Sequence, residues 1–254
     1  MIETAERAAR RGGEVLLSYW RNLPRGSITE KARNDFVSKA DRESEAAVVG
    51  EILRELPGDA ILAEEGGSRA GDSGREWIID PLDGTSNFIA GFPFWCVSIA
   101  VRENGRISAG VVWDPLRKEL YRAVHGRGAF RNGERLQVSA KAAVDGAFLA
   151  TGFPFRARDR IDEYLAVFRA LFLRARAIRR AGSAALDLAN VAAGVFDGFF
   201  EFELSPWDIA AGAILIEEAG GVIRDFDGSG GYLESGNVVA GPAPIVADLR
   251  RSFA

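Results

Sequence analysis

Apolar residues recur at helical spacing through Ile2, Ala5, Ala8, Ala9, Val15, Leu16 and Trp20, predicting a first amphipathic helix that Pro24 follows. From Ser27 to Ala40 the periodicity fades and turn formers accumulate, so a loop or short irregular strands with freedom to move are expected. Asp41 reads as the cap of a second helix, with Ala47, Val48, Ile52, Leu53 and Leu56 on its buried stripe and Pro57-Gly58 ending it. Ala60-Ile61-Leu62-Ala63 is a short apolar strand running into Glu64-Glu65-Gly66-Gly67, and a polar turn spans Arg69 to Gly74. Trp77-Ile78-Ile79 is a buried strand that Pro81, lacking an N–H, should end.

Trp95 to Val101, Arg106 to Trp113, Glu119 to Val124 and Gly128 to Gln137 read as strands joined by Asn104-Gly105, Asp114-Pro115, His125-Gly126 and Asn132-Gly133. The Asn-Gly pairs are strong hairpin signals, so an antiparallel meander is expected. The second half alternates: strand Phe148 to Thr151, helix from Ile161 to Phe172, strand near Ile178, helix Ser183 to Ala193, strand Val195 to Phe202, helix Trp207 to Ala219, and strands Gly221 to Arg224 and Asn237 to Ala240. A last helix is expected within Pro242 to Phe253. Such alternation calls for helices layered on a sheet, in a mixed α/β fold.

The 254 residues carry no Pro/Ser-rich linker or charge block, so one domain over residues 1–254 is expected, with lobes of about 1–140 and 141–254. Apolar residues make up 47%, enough for a sizeable core, and no run has the length of a membrane span. The first residues lack the basic and apolar regions of a signal peptide, so a cytoplasmic location is the expectation. One cysteine, Cys96, and one histidine, His125, exclude an internal disulfide and a Cys/His zinc cluster. Any metal must be held by oxygen. A net charge of -4 does not describe a general nucleic-acid binder.

Candidate chemistry gathers at strand ends. Asp80 and Asp83 leave the Trp77 strand, Glu64 leaves its expected neighbour, and Ser205-Pro206-Trp207-Asp208 offers a fourth carboxylate at a helix start. Gly84 lets a backbone approach a ligand closely, and Thr85 or Ser86 opens a short helix whose free N–H groups suit an anion. Singly, each has an ordinary reading: Asp208 a cap, Glu64 and Glu65 surface charges, Asp80 and Asp83 a turn. Together they form an oxygen-only set that selects magnesium or manganese over zinc.

Asp80-Pro81-Leu82-Asp83-Gly84-Thr85-Ser86-Asn87-Phe88 resembles the first signature of the inositol monophosphatase family, and Trp207-Asp208-Ile209-Ala210-Ala211-Gly212 with Glu218-Ala219-Gly220-Gly221 is similar to its second. Ala63-Glu64-Glu65-Gly66, Gly126-Arg127-Gly128-Ala129-Phe130, Gly182-Ser183-Ala184-Ala185-Leu186-Asp187-Leu188 and Gly236-Asn237-Val238-Val239-Ala240 extend the likeness from about Lys31 to Ala240. The resemblance implies a layered α/β/α/β/α sandwich, commonly homodimeric and lithium-sensitive, that hydrolyses phosphate monoesters of inositol or a related sugar with two or three Mg2+ ions, Mn2+ being a possible substitute.

It also implies roles for particular positions. Glu64, Asp80 and the Leu82 carbonyl would hold one ion, Asp80, Asp83 and Asp208 a second, and Glu64 would share a third. The backbone of Gly84 and Thr85 would receive the phosphate, and water would be activated near Glu64 and Thr85 with Asp41 supporting the threonine. Ala184 and Glu201 would meet sugar or inositol hydroxyls, and Lys31 matches the lysine of the family's mobile loop. Ser86 and Ala90 stand where threonine and histidine are frequent in the family, which blurs substrate choice.

Three alternatives stay within the same chemistry: fructose-1,6-bisphosphatase, histidinol-phosphatase and nucleotide 3'-phosphatase activity. A fourth is a regulatory RNA- or protein-binding role on the same fold. Arg174, Arg176, Arg179 and Arg180 form a basic cluster that reads as a solvated or partner-facing surface, as a second-phosphate site through Arg179 and Arg180, or as a nucleic-acid dock. Nucleic acid is not the expected partner, and neither is a membrane. His125 falls in a hairpin turn with no catalytic role, and Cys96 is expected to be buried.

Overall fold

The computed structural model describes residues 1–24, 26, 28–32, 35–153 and 158–253; of residues 30–32 and 35–37 it describes the backbone alone. The chain opens with α1 (Ile2–Tyr19) and a hairpin of β1 (Ile28–Ala32) with β2 (Asp35–Ser38), antiparallel with an irregular register between Glu30 and Ala32. Within the stretch of weak periodicity, the described residues 28–32 and 35–38 form short irregular strands. Helix α2 (Lys39–Glu55) follows at once, and its N-cap is Ser38, not Asp41. Asp41 is instead the third helical residue: its carboxylate accepts from the Ser38 backbone N–H at 2.9 Å and hydroxyl at 2.6 Å, while the Ser38 oxygen accepts from Ala40 N–H at 3.1 Å. The acid expected as the cap is the reciprocal half of a capping box.

Next come β3 (Ala60–Ala63), β4 (Gly67–Arg69), β5 (Arg75–Asp83), the short helix α3 (Thr85–Ala90), and the meander β6 (Cys96–Glu103), β7 (Arg106–Asp114), β8 (Glu119–Val124), β9 (Gly128–Arg131) and β10 (Glu134–Arg135). They form one sheet in the order β10-β9-β8-β7-β6-β5-β3-β4. Pairs from β5 to β10 are antiparallel, as the Asn-Gly turns require, while β3 runs parallel to β5. Two local expectations fail here. Gly67 to Arg69, where no strand was expected, pairs on the sheet edge and takes the first residue of the expected Arg69 to Gly74 turn, and β5 does not stop at Pro81.

The second sheet is built from β11 (Phe148–Thr151), β12 (Ala177–Arg179), β13 (Gly198–Glu201), β14 (Val222–Arg224) and β15 (Val238–Gly241), in the order β12-β11-β13-β15-β14. Between its strands lie α4 (Ile161–Phe172), α5 (Ala184–Ala192), α6 (Pro206–Glu218) and α7 (Tyr232–Ser235), and α8 (Ala243–Arg250) closes the chain. Helix α7 lies between the expected strands Gly221 to Arg224 and Asn237 to Ala240, in a stretch to which no element was assigned.

Three apolar clusters define the layers. Ala8, Leu16, Val48 and Ile52 of α1 and α2 pack on Trp77, Ile79, Val97 and Val111 of the large sheet. Leu188, Val191, Ile209 and Ile214 of α5 and α6 fill the space between the sheets, against Ile78, Ala100 and Val112 on one side and Ala150, Phe199 and Ala240 on the other. Tyr164, Val167 and Leu171 of α4 and Ile245 and Leu249 of α8 cover the outer face of the small sheet. The order is α/β/α/β/α.

Alternating positions of a strand point to opposite faces, and here both faces are covered, which is why Trp77, Ile78 and Ile79 are all buried. The middle layer sits close: a Cβ on Gly110 of β7 would lie 2.6 Å from Ile214 Cγ2 and 3.0 Å from the Ala211 Cα. Glycine there lets α6 press on the large sheet, which delivers the start of α6 to the end of β5. No described helix is long and apolar enough to cross a membrane.

Candidate metal centre

In a regular strand Asp80 and Asp83, three positions apart, would point to opposite faces. A bulge removes that difference. Asp80 pairs with Ser98 and Asp83 with Cys96, so Pro81 and Leu82 together stand across from Val97 alone. Proline is tolerated because the bulge needs no N–H from it.

The polar groups of the bulge are accounted for. The Pro81 carbonyl accepts from the Ser44 hydroxyl of α2 at 2.9 Å, the Leu82 N–H donates to Asp80 Oδ1 at 2.9 Å, and the Leu82 carbonyl accepts from Thr85 Oγ1 at 3.1 Å. Gly84 then takes φ of 97°, a left-handed conformation that glycine adopts without strain, and serves as the N-cap of α3. Helix α3 is held by the ring cluster of Trp20, Phe88 and Trp95, with centroids 5.0 to 5.3 Å apart.

The acids converge on this bulge. Because β3 and β5 are parallel, their ends lie together, and Glu64 N–H donates to the Ile79 carbonyl at 3.2 Å, directly before Asp80. Asp208 enters from α6, where it doubles as a capping-box acid that accepts from the Ser205 N–H at 2.7 Å. Carboxylate oxygens of Asp80, Asp83 and Asp208 all lie within 4.8 Å of one another, and the three residues are buried.

Burial raises Asp80 well above the usual carboxylate range, and the charges of Glu64, Asp83 and Asp208 raise it further. Asp83 is pushed up to about 7 by burial and by Asp208, against the lowering pull of Ser183 and Ala185. Three buried, mutually repelling carboxylates form an all-oxygen donor set that fits a hard divalent cation. The single Thr85 hydroxyl hydrogen is shared between Asp41 Oδ1 at 2.9 Å and the Leu82 carbonyl at 3.1 Å, so the carbonyl keeps lone-pair capacity for a cation.

Asp83 is tied to α5 of the middle layer by groups to which the sequence assigned no role at the acids. Ser183, N-cap of α5, donates to Asp83 Oδ2 at 2.6 Å, the Ala185 N–H donates at 2.7 Å, and the Cys96 thiol lies 3.9 Å away. Serine one residue before a helical stretch is an N-cap signal, but nothing in the local pattern says which acid the helix start will receive. Cys96 is fully buried as expected.

Thr85 Oγ1 donates to Asp41 Oδ1 at 2.9 Å. Ala184 is the first residue of α5 and is buried beside Asp83. Glu201 ends β13, and its carboxylate lies on Gly152, where a Cβ would come within 1.8 Å of Oε1. Lys31 lies on β1, and its side chain is outside the described residues. Thus Glu64, Asp80, Leu82, Asp83, Gly84, Thr85, Asp41, Ala184 and Asp208 meet around one bulge, with Glu201 on the α5 side.

The arginine cluster divides. Arg174 is bound by Asp145 at 2.5 Å and Asp248 at 2.7 Å. Arg176 and Arg179 lie over the Phe148 ring, and Arg180 over Phe153 at 5.1 Å. His125 is exposed in its turn, 3.7 Å from Glu218.

The sequence model of the inositol monophosphatase family matches residues 1–252. A Pseudomonas aeruginosa relative named Nus factor SuhB is 49% identical over 246 residues, covering 95% of this chain and 91% of its own. Among solved structures, the extragenic suppressor protein suhB from Bartonella henselae superposes with a TM-score of 0.94 at 39% identity, over 99% of this chain and 97% of that one. The inositol monophosphatase from Anabaena gives 0.89 at 39% identity, over 99% and 94%.

Proposed function

The chain belongs to the inositol monophosphatase family, and from that premise we propose that it is a magnesium-dependent hydrolase of phosphate monoesters, acting on inositol monophosphate or a related sugar phosphate. The observation that carries this reading is the buried trio of Asp80, Asp83 and Asp208, folded around a bulge that also presents Gly84 and Thr85. Glu64, Asp80, Asp83, Asp208 and the Leu82 carbonyl would hold two or three magnesium ions, with manganese as a substitute. The bound cations would supply charge against the phosphoryl oxygens and acidity to the attacking water.

The chain's own groups do the rest. The N–H groups of Gly84 and Thr85 point a helix start at the phosphate. Thr85, held by Asp41, and Glu64 orient the attacking water and pass its proton on. Ser183 and the Ala185 N–H hold Asp83 in place as charge develops on the leaving alcohol. Ala184 and Glu201 face the alcohol half. The same reading makes residues 1–254 one catalytic domain, with lobes of about 1–140 and 141–254, in a cytoplasmic, lithium-sensitive homodimer.

Phosphate release from inositol, fructose, histidinol and adenosine phosphates, with and without magnesium, tests the proposal and separates it from the bisphosphatase, histidinol and nucleotide branches. Magnesium-dependent release from inositol phosphate is expected; no release from any would overturn the reading.

A second reading has its own support. Relatives at 44 to 49% identity carry the name Nus factor SuhB, so a Nus-factor role on RNA or a protein partner is proposed beside catalysis. Arg179 and Arg180 are exposed, and Arg174 pairs with Asp145 and Asp248. A salt-sensitive gel shift abolished by neutralising Arg179 and Arg180 would support nucleic-acid docking.

A further inference from the structure

Asn87, the third residue of α3, has no part in the chemistry proposed above, yet its side-chain amide joins three segments of the chain. Nδ2 donates to the Phe94 carbonyl at 2.7 Å, to the Ala181 carbonyl at 2.9 Å and to the Gly182 carbonyl at 3.2 Å. Carbonyls only accept, so the NH2 end must face them, and its two hydrogens are shared among three oxygens. Two of these bonds close across 94 and 95 positions of sequence, tying α3 to the segment that opens α5.

The same carbonyls border the turn assigned to the phosphate. A Cβ on Gly84 would lie 3.0 Å from the Phe94 oxygen and 3.3 Å from the Gly182 oxygen, and one on Gly182, where φ is 92°, would lie 3.1 Å from Asn87 Nδ2. Directly beyond Gly182, the Ser183 hydroxyl and the Ala185 N–H hold Asp83 at 2.6 and 2.7 Å. Residues 181–185 are therefore fastened twice, to Asn87 beside Gly84 and to Asp83 in the metal centre.

Satisfying carbonyls does not by itself require an asparagine here. Phe94, Ala181 and Gly182 are only half-buried, so water can take up their hydrogen bonds. Water cannot fix the spacing between two segments, and a displacement of about 1 Å in a reacting geometry costs on the order of a hundredfold in rate.

Resting on the phosphatase reading, we propose that Asn87 is a positioning residue that acts through Asp83. By fixing residues 181–185 against Gly84, it sets the separation between the turn that receives the phosphate and the acid that faces the leaving oxygen. Its effect is greatest for esters of poor leaving groups, whose developing charge depends most on groups placed to stabilise it.

The test compares Asn87→Ala with the wild type in two measurements. In metal-free protein, hydrogen exchange of the Ala185 N–H should quicken about tenfold or more while amides of β8 keep their wild-type rates. In magnesium, the ratio of kcat/KM for inositol 1-phosphate to that for 4-nitrophenyl phosphate should fall about tenfold, because nitrophenolate departs with little help. That ratio does not respond to the fraction of folded enzyme.

Unchanged exchange at Ala185, exchange raised equally in β8, or equal loss on both esters would overturn the proposal and leave Asn87 a structural residue. No release from either ester by the wild type would instead overturn the phosphatase reading, and this one with it; the two failures are told apart because the exchange measurement needs no turnover. Should the alanine variant fail to fold, Asn87→Ser, with one hydrogen and a shorter reach, is read in the same two ways. The same selective changes are expected of it, and equal loss on both esters is again decisive against the proposal.

Discussion

Thr85 Oγ1 donates to Asp41 Oδ1 at 2.9 Å, joining the start of α3 to the start of α2 across 44 positions of sequence. The other oxygen of Asp41 receives both the N–H and the hydroxyl of Ser38. One carboxylate therefore serves a capping box and the candidate water-orienting threonine together, and burial raises it above the usual range despite those bonds.

Asp41→Asn has a single acceptor oxygen, so it cannot keep both sets of bonds. It should lose about 1 kcal/mol of stability through the cap and lower kcat about a hundredfold through Thr85. Thr85→Val separates the two: kcat should fall while the melting temperature holds. Thermal unfolding beside phosphate-release kinetics reads both, and a Thr85→Val enzyme with wild-type kcat would remove the threonine from the mechanism.

Asp83→Asn should nearly abolish turnover and leave the fold intact. The amide oxygen can still accept from Ser183 and the Ala185 N–H, so α5 stays docked, but the charge that would hold the cation is gone. Calorimetric titration should find magnesium affinity reduced along with activity, and circular dichroism should be unchanged. Retention of the wild-type rate would sink the ligand assignment.

Metal-free protein should lose stability as pH rises. Asp83 binds its proton up to about 7 when folded against an ordinary value of 3.8, and Asp80 is raised as well. Between those pH values the folded state holds more protons than the unfolded one, so unfolding free energy falls with pH, by on the order of a few kcal/mol. The stability is fully present below about pH 4 and lost by pH 7 for this group. Added magnesium should replace it, so the magnesium-induced rise in melting temperature should be larger at pH 7.5 than at pH 5. An equal rise at both would mean the trio does not bind the ion.

Most of this architecture was legible because periodicity, Asn-Gly turns and alternating elements report local preference. Asp80, Asp83 and Asp208 were found by residue type and by resemblance, yet the reason they converge was not. Pro81 reads as a strand end to any local rule, and only pairing with Ser98 and Cys96 reveals a bulge that turns Asp83 to the side of Asp80. Ser38 outcompeted Asp41 for the N-cap because both satisfy the same rule, and only the geometry decides which hydroxyl or carboxylate faces the first free N–H.

Gly152→Ala should disturb function while sparing the fold. A Cβ at this position would come within 1.8 Å of Glu201 Oε1 and 2.1 Å of its Cδ, distances no real contact permits. The obstruction is the far end of a flexible side chain and Gly152 has an ordinary backbone φ, so the carboxylate moves and the strand does not. Stability should change by no more than about 0.5 kcal/mol. If Glu201 meets the alcohol half of the substrate, KM for an inositol phosphate should rise about tenfold while kcat at saturation changes little, because the lost contact is made equally in the ground and transition states. Steady-state kinetics on inositol 1-phosphate reads this directly. Unchanged KM in a folded Gly152→Ala enzyme would place Glu201 outside the substrate's reach.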